Sequence, residues 1–339
     1  MRRFVSPLLS GAAISRAKMA RSMLGFGLVW LTAASAFAYA PIRPTLPASR
    51  PVCRRAPRSA PLRMGTVPAP LVVAATVVPT TLGFYRREYG VSYAYGIAIS
   101  AVGGLALRSG ALAPLARAHA CVHVAYGARL CAFLLWRELA VPRFREMRER
   151  IEQGAPPRRA ARAPFILACS ALYAGMSLPV LVTASAAAAP APALPRAAAA
   201  AAWACVGAAA LGLALAAGGD AQKAWAKSRG ASLVDGGLYT WLRHPNYTGE
   251  ALLWTASTAA AGVVALATGG ARRLRTLATL AGAGCGLSGI LLVLAMAATG
   301  LEKRQREEYG GTPRYDAWLA RSWAGPTLAM APPTDAAAA

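Results

Sequence analysis

Acidic side chains are what this chain has least of. Of its 339 residues only 13 are Asp or Glu, none of them in the first 66, and charged residues of either sign make up 15%. A soluble domain of this size carries about 25% charge, so a surface bathed in water on all sides is excluded. Histidine is scarcer still: His119, His123 and His244 are all there is. The six cysteines (Cys53, Cys121, Cys131, Cys169, Cys205, Cys285) form no CxxC and no Cys/His ligand spacing, so they read as small apolar packing residues. His119 and His123 stand at i, i+4, which suits a metal, but no third ligand or nearby Glu follows. They are expected to be packing or polar histidines, and no metal site is expected. A Walker loop, a GxGxxG after a strand and a GxSxG are all missing, which removes the phosphate-loop, dinucleotide-fold and serine-hydrolase readings.

What is abundant is apolar. Hydrophobic residues make up 56%, and they gather into runs of about 20, the length that crosses a bilayer. The expected fold is all-α: a polytopic transmembrane helical bundle of about 6–7 spans. The runs are Pro68–Phe84, Val91–Leu107, Ala111–Trp136, Pro164–Ala187, Ala197–Gly218, Gly249–Gly269 and Leu277–Gly300. The first two are short enough to form one re-entrant pair. The Ala/Pro tract from Ala184 to Pro195 reads as a tight, featureless connection.

A formal net charge of +24 suggests nucleic acid until it is divided. Residues 1–66 hold 11 Lys and Arg, and the other 26 lie mostly between apolar runs. Threading the spans alternately puts 19 Lys and Arg on one face and six on the other, with Arg129 inside a span. That asymmetry is the positive-inside bias, so the partner is the lipid bilayer rather than nucleic acid, and the basic face is expected to be stromal or cytosolic. The same face receives every polar motif described below.

The first residues read as an address. Arg2, Arg3, Arg16, Lys18 and Arg21 precede the apolar run Met23–Ala36, the layout of a signal peptide over residues 1–36. Residues 37–66 are rich in Arg, Pro, Ser and Ala without acid, like a transit peptide. The string Ala34-Ser35-Ala36-Phe37-Ala38 resembles bipartite plastid-targeting signals, which implies a plastid membrane. Residues 67–326 then form the transmembrane enzyme domain, and residues 327–339 a disordered tail.

Four constellations carry the chemistry. Gly236 to Glu250 sets Arg243, His244, Asn246, Tyr247 and Glu250 just ahead of an apolar run, where ionisable groups are costly to desolvate and usually mark a site. Pro245 suits a helix start, and the N–H groups opened there, with Arg243 beside them, would receive a phosphate or carboxylate. Asp220-Ala221-Gln222-Lys223 ends a span, with Asp220, Lys223 and Lys227 on one helical stripe. Leu301-Glu302-Lys303-Arg304 opens a short amphipathic tail that includes Tyr315. Tyr126-Gly127-Ala128-Arg129 puts an Arg inside a span, where it needs a partner or a water-filled cavity.

Taken in series, Arg129-Leu130, Asp220 to Lys223, Gly237 to Glu250, and Leu301 to Arg304 with Tyr315 resemble the steroid 5-alpha-reductase C-terminal-domain-like family of membrane proteins, over roughly residues 120–326. The departures are Thr248, where that family more often has an aromatic residue, and the Gly-Gly-Thr before Pro313. The resemblance implies an NADPH-dependent reductase acting on a conjugated double bond in an apolar, lipid-like small-molecule substrate. It implies a cofactor held by Asp220, Lys223, Arg243, His244, Asn246, Tyr247, Glu250, Glu302 and Tyr315. Catalytic roles then fall to Glu250, Tyr247 and a Tyr proton donor, for which Tyr126 is the nearest candidate. Isoprenylcysteine carboxyl and phospholipid methyltransferases look similar in the same region and use S-adenosylmethionine. Asn246 and Glu250 favour the reductases, while a non-catalytic membrane protein is the third reading.

Overall fold

The computed structural model describes residues 67–109, 112–188, 194–269 and 274–328. The signal and transit segments and residues 329–339 of the tail lie outside the described residues. Among those described there is no strand, only an isolated bridge between Leu242 and Trp323. The described residues form an all-α bundle with six helical segments long and apolar enough to cross a membrane.

The helices are α1 (Ala69–Thr80), α2 (Leu82–Tyr85), α3 (Tyr93–Arg108), α4 (Pro114–Ala140), α5 (Pro142–Gln153), α6 (Ala163–Ala188), α7 (Arg196–Ser228), α8 (Pro245–Ala267), α9 (Leu274–Tyr309) and α10 (Pro313–Arg321). Proline starts many of them. Pro114, Pro142, Pro245 and Pro313 open their helices, where the missing N–H would have had no partner anyway. Of the seven expected runs, the first is the one too short to cross: α1 and α2 form only an apolar stub, Ala69–Tyr85, ended by an extended Arg86.

Two helices outrun their apolar stretches. α7 continues from the expected end at Gly218 to Ser228, and α9 from Gly300 to Tyr309. The residues added are mostly Ala, Lys, Gln, Glu and Arg, all good helix formers, so the loss of apolarity does not end the helix. Asp220, Lys223, Glu302 and Arg304 therefore sit on rigid helix rather than on loop.

Small residues set the crossings. A Cβ on Gly249 of α8 would meet Ala216 N and Gly212 O of α7 at 2.5 Å, and one on Gly212 would meet Leu253 N at 2.6 Å. α7 and α8 thus touch backbone to backbone, the close approach that replaces hydrophobic drive between helices in lipid. α3 and α4 cross the same way at Gly96 and Gly127, and α6 and α9 at Gly175 and Gly286. Segments expected on the basic face contact one another. Arg87 N–H donates to Glu152 at 3.0 Å, Arg148 pairs with Glu88 and Glu138, and Arg243 pairs with Glu302, so the basic segments meet at one end of the bundle.

Candidate functional site

Much of the polar motif builds a clasp. Gly237 adopts φ +58°, a left-handed value that favours glycine, and any Cβ there would strike the Gln222 amide. That amide straddles the turn, donating to Gly236 O at 2.5 Å and accepting from Leu238 N–H at 3.0 Å. The Tyr239 hydroxyl donates to Gly219 O at 3.1 Å, and Trp318 Nε1 donates to Tyr239 O at 2.6 Å. Arg243 N–H donates to Trp323 O, and Trp323 N–H to Trp241 O, each at 2.9 Å. The loop is thus sewn to α7 on one side and to the tail on the other.

Asp235 strengthens this seam by accepting from Arg314 Nε and Nη2, both at 2.7 Å. The hydrogen bonds from Arg314 hold the Asp235 carboxyl below its ordinary value. A depressed carboxylate contributes stability above its unfolded value and loses it as pH falls through the folded one. Protease attack on the tail should therefore rise only below about pH 4, the ordinary Asp range, and should do so in the wild type but not in Asp235→Asn, where the pair is already lost.

Arg243 and His244 face inward at the centre of the clasp. Arg243 Nε and His244 Nε2 both donate to Glu302 Oε1, at 2.9 and 2.8 Å, and Arg243 Nη1 also reaches Ser322 O at 2.7 Å. The sequence reading gives Arg243 a phosphate; the structure gives it a protein carboxylate and tail carbonyls instead. Asn246 and Glu250, one turn apart on α8, share a face that Arg243, ahead of the helix, does not join. Asn246 lies beside Asp220, Glu250 points into the bundle, and Arg243 points to the tail. Tyr315 is buried against Leu233 and Trp318, away from the inner groups. Burial and then the nearby Glu302 charge push its phenol up.

Deeper in, Arg129 Nη2 of α4 donates to Asp220 of α7 at 2.7 Å. This is the partner that an Arg inside a span requires. About one turn further into the bundle lies Glu250, buried and contacted by the Tyr95 hydroxyl at 3.4 Å. Around it the rings of Tyr95, Tyr126, Tyr173 and Trp254 pack with centroids 5.0–6.2 Å apart. The Tyr126 hydroxyl and Trp254 Nε1 are buried and have no partner. Tyr247 is half-buried beside His244, ring centroids 5.8 Å apart. Tyr95 and Tyr173 were not singled out by sequence reasoning, because an aromatic inside an apolar run carries no motif.

Below this cluster, His119 ties three helices together. Its Nδ1 lies 3.1 Å from Thr183 Oγ1 of α6, and its Nε2 lies 2.7 Å from Ser257 Oγ of α8. His123 Nδ1 lies 3.1 Å from His119 O, and its Nε2 is buried without a partner. The five cysteines among the described residues are all free.

A cleft of about 180 Å³ opens beside the clasp, lined by Lys223, Lys227 and Tyr239 on one wall and Arg304, Gln305, Glu308 and Tyr309 on the other. Three cations thus converge where α7 and α9 overrun their apolar stretches. Lys227 and Arg304 are exposed, and Gln305 Oε1 is buried without a partner. Of the expected cofactor set only Lys223 lines this cleft. Asp220, Asn246 and Glu250 lie inward of it, and Arg243, His244, Glu302 and Tyr315 belong to the clasp.

No curated protein and no solved structure matches the chain. Residues 91–322, which hold both the clasp and the inner cluster, match the DUF1295 family, described as proteins of unknown function. With that match covering most of its length, the chain is a polytopic membrane protein that belongs to the DUF1295 family.

Proposed function

We propose that this protein is an integral membrane reductase that uses NADPH to reduce a conjugated double bond in a lipid-like substrate. The observation that carries this reading is the cleft, in which Lys223, Lys227 and Arg304 face a common space. That donor set fits phosphates, and the unpaired Gln305 Oε1 suits a hydroxyl or amine of the cofactor. The cleft is smaller than the roughly 300–1,000 Å³ of pockets that enclose a whole ligand, so it suits the phosphate end alone. The series Arg243-His244-Pro245-Asn246-Tyr247-Thr248-Gly249-Glu250 adds the resemblance to sterol and steroid reductases.

NADPH, when bound, supplies a hydride. The chain's own residues divide the remaining work. Lys223, Lys227 and Arg304 hold the anionic end, and the Asp220–Arg129 pair lies between the cleft and the interior. The buried ring cluster excludes water and receives apolar substrate from the lipid. The Tyr126 hydroxyl, unpaired and beside Tyr95 and Glu250, holds a proton for the carbon or carbonyl that needs it.

Thermal unfolding of the detergent-purified protein tests this, because a genuine ligand raises apparent stability by mass action. NADPH is expected to raise the midpoint, and Lys223→Gln with Lys227→Gln to weaken NADPH about tenfold or more, the loss of at least one charge-assisted contact. Stabilisation by S-adenosylmethionine in its place would support a membrane methyltransferase, whose cationic sulfonium favours Glu250 and Glu308 over the lysines. Stabilisation by neither would leave a non-catalytic membrane protein.

A further inference from the structure

The helix α5, between two spans on the basic face, is packed the opposite way round to a soluble helix. The groups it turns toward the protein are charged. Arg148, 4% exposed, pairs with Glu88 at 3.5 Å and with Glu138. One turn on, Glu152 accepts from Arg87 N–H at 3.0 Å and from Arg162 at 2.6 Å. The groups it turns outward include Met147 and Ile151, 40% and 39% exposed and one turn apart. By helical register these two, with half-buried Phe144, form one apolar stripe. Arg143 and Arg150 border that stripe on its outer edge, Arg150 within 3.7 Å of exposed Glu146 behind it, while Glu149 and Gln153 fall on the far side.

An apolar stripe edged by arginines, with acids turned away from it, is the layout of a helix lying in a membrane interface. The arginine stems cover apolar surface while their heads reach outward. Two further observations point the same way. Exposed Arg158 and Arg159 follow on the same connection. The preceding turns of α4 present Trp136 and Leu139, also exposed, at the end of the span that leads into α5.

We propose that α5 is an interfacial helix that binds anionic phospholipid, with Met147 and Ile151 in the acyl boundary and Arg143, Arg150, Arg158 and Arg159 on the headgroup phosphates. The contact is tied to the interior. Arg148 bridges Glu88, ahead of α3, to Glu138 near the end of α4, and these are the two helices that carry Tyr95 and Tyr126. This inference is independent of the reductase reading, since it concerns a different face of the protein and a different ligand.

Nitroxide labels at Met147→Cys and Glu149→Cys test it, introduced one at a time into full-length protein whose native cysteines are replaced by alanine. The protein is placed in vesicles of phosphatidylcholine alone or of equimolar phosphatidylcholine and phosphatidylglycerol. With anionic lipid, the label at 147 should be relaxed preferentially by oxygen and the label at 149 by an aqueous nickel complex. That contrast should shrink in phosphatidylcholine alone and in Arg143→Gln with Arg150→Gln, two exposed positions outside the Arg148 network. A label at 147 as accessible to nickel as the one at 149 overturns the proposal and makes the stripe a surface for a soluble partner. Equal contrast in both vesicle types overturns the anionic preference.

Discussion

Gly249→Ala is expected to lower the unfolding midpoint, and Gly249→Val to leave little folded protein. Any Cβ at this position would sit 2.5 Å from two backbone atoms of α7, and backbone cannot move aside the way a flexible side chain can. Overpacking of this kind costs about 1–3 kcal/mol and sometimes more, equivalent to roughly 1–5 °C for a chain of this size. Gly262 provides the control on the same helix, since a Cβ there meets nothing within 4 Å. Gly262→Ala should gain a few tenths to about 1 kcal/mol by removing backbone freedom. If the two alanine variants unfold together, α7 and α8 do not touch as closely as described. The last glycine of the motif would then be open to a ligand-binding role instead of a packing one.

The second large effect is at Glu302. Glu302→Gln removes the carboxylate that receives both Arg243 and His244, leaving a guanidinium 14% exposed and without its counter-charge. Breaking a buried pair from one side costs about 3–5 kcal/mol, because the remaining charge stays desolvated. The loss should be local first. Protease should cut residues 313–328 faster, since Arg243 also holds the Leu319 and Ser322 carbonyls. Glu307→Gln, which disturbs only an exposed i, i+4 pair with Lys303, should change stability by less than about 0.5 kcal/mol. Equal behaviour of the two variants would show that the clasp is not held by charge.

The class of fold was legible because its cause is composition. Long apolar runs with few acids have one satisfied backbone arrangement in lipid, the helix, and the distribution of arginine marked which segments would share a face. The polar block from Arg243 to Glu250 stood out for the same reason: charge at a membrane boundary is expensive unless something receives it. What receives it was hidden, because Glu302 is 59 residues away from Arg243 and nothing local names it. Helix ends were hidden too, since apolarity stops at Gly218 and Gly300 while helix propensity does not. Tyr95 and Tyr173 were missed because aromatic side chains in an apolar run look alike whether they pack or line a site. The cationic cleft was half-visible. The stripe containing Lys223 and Lys227 could be read from spacing, but its opposite wall comes from Arg304 on a helix about 80 residues later.

The overrun of α7 and α9 also sets how far the polar end of the bundle stands from the apolar layer. At 1.5 Å per residue the 33 residues of α7 extend roughly 50 Å, against about 30 Å of hydrocarbon. The surplus stands as an overhang in the aqueous phase and carries the lysines with it. Cationic groups on that overhang meet water without crossing the headgroups, whereas Tyr126, fully buried among its neighbouring rings, meets none. One helix thereby carries charge out to water at one end and Gly212 and Ala216 into a bare backbone crossing within the apolar layer.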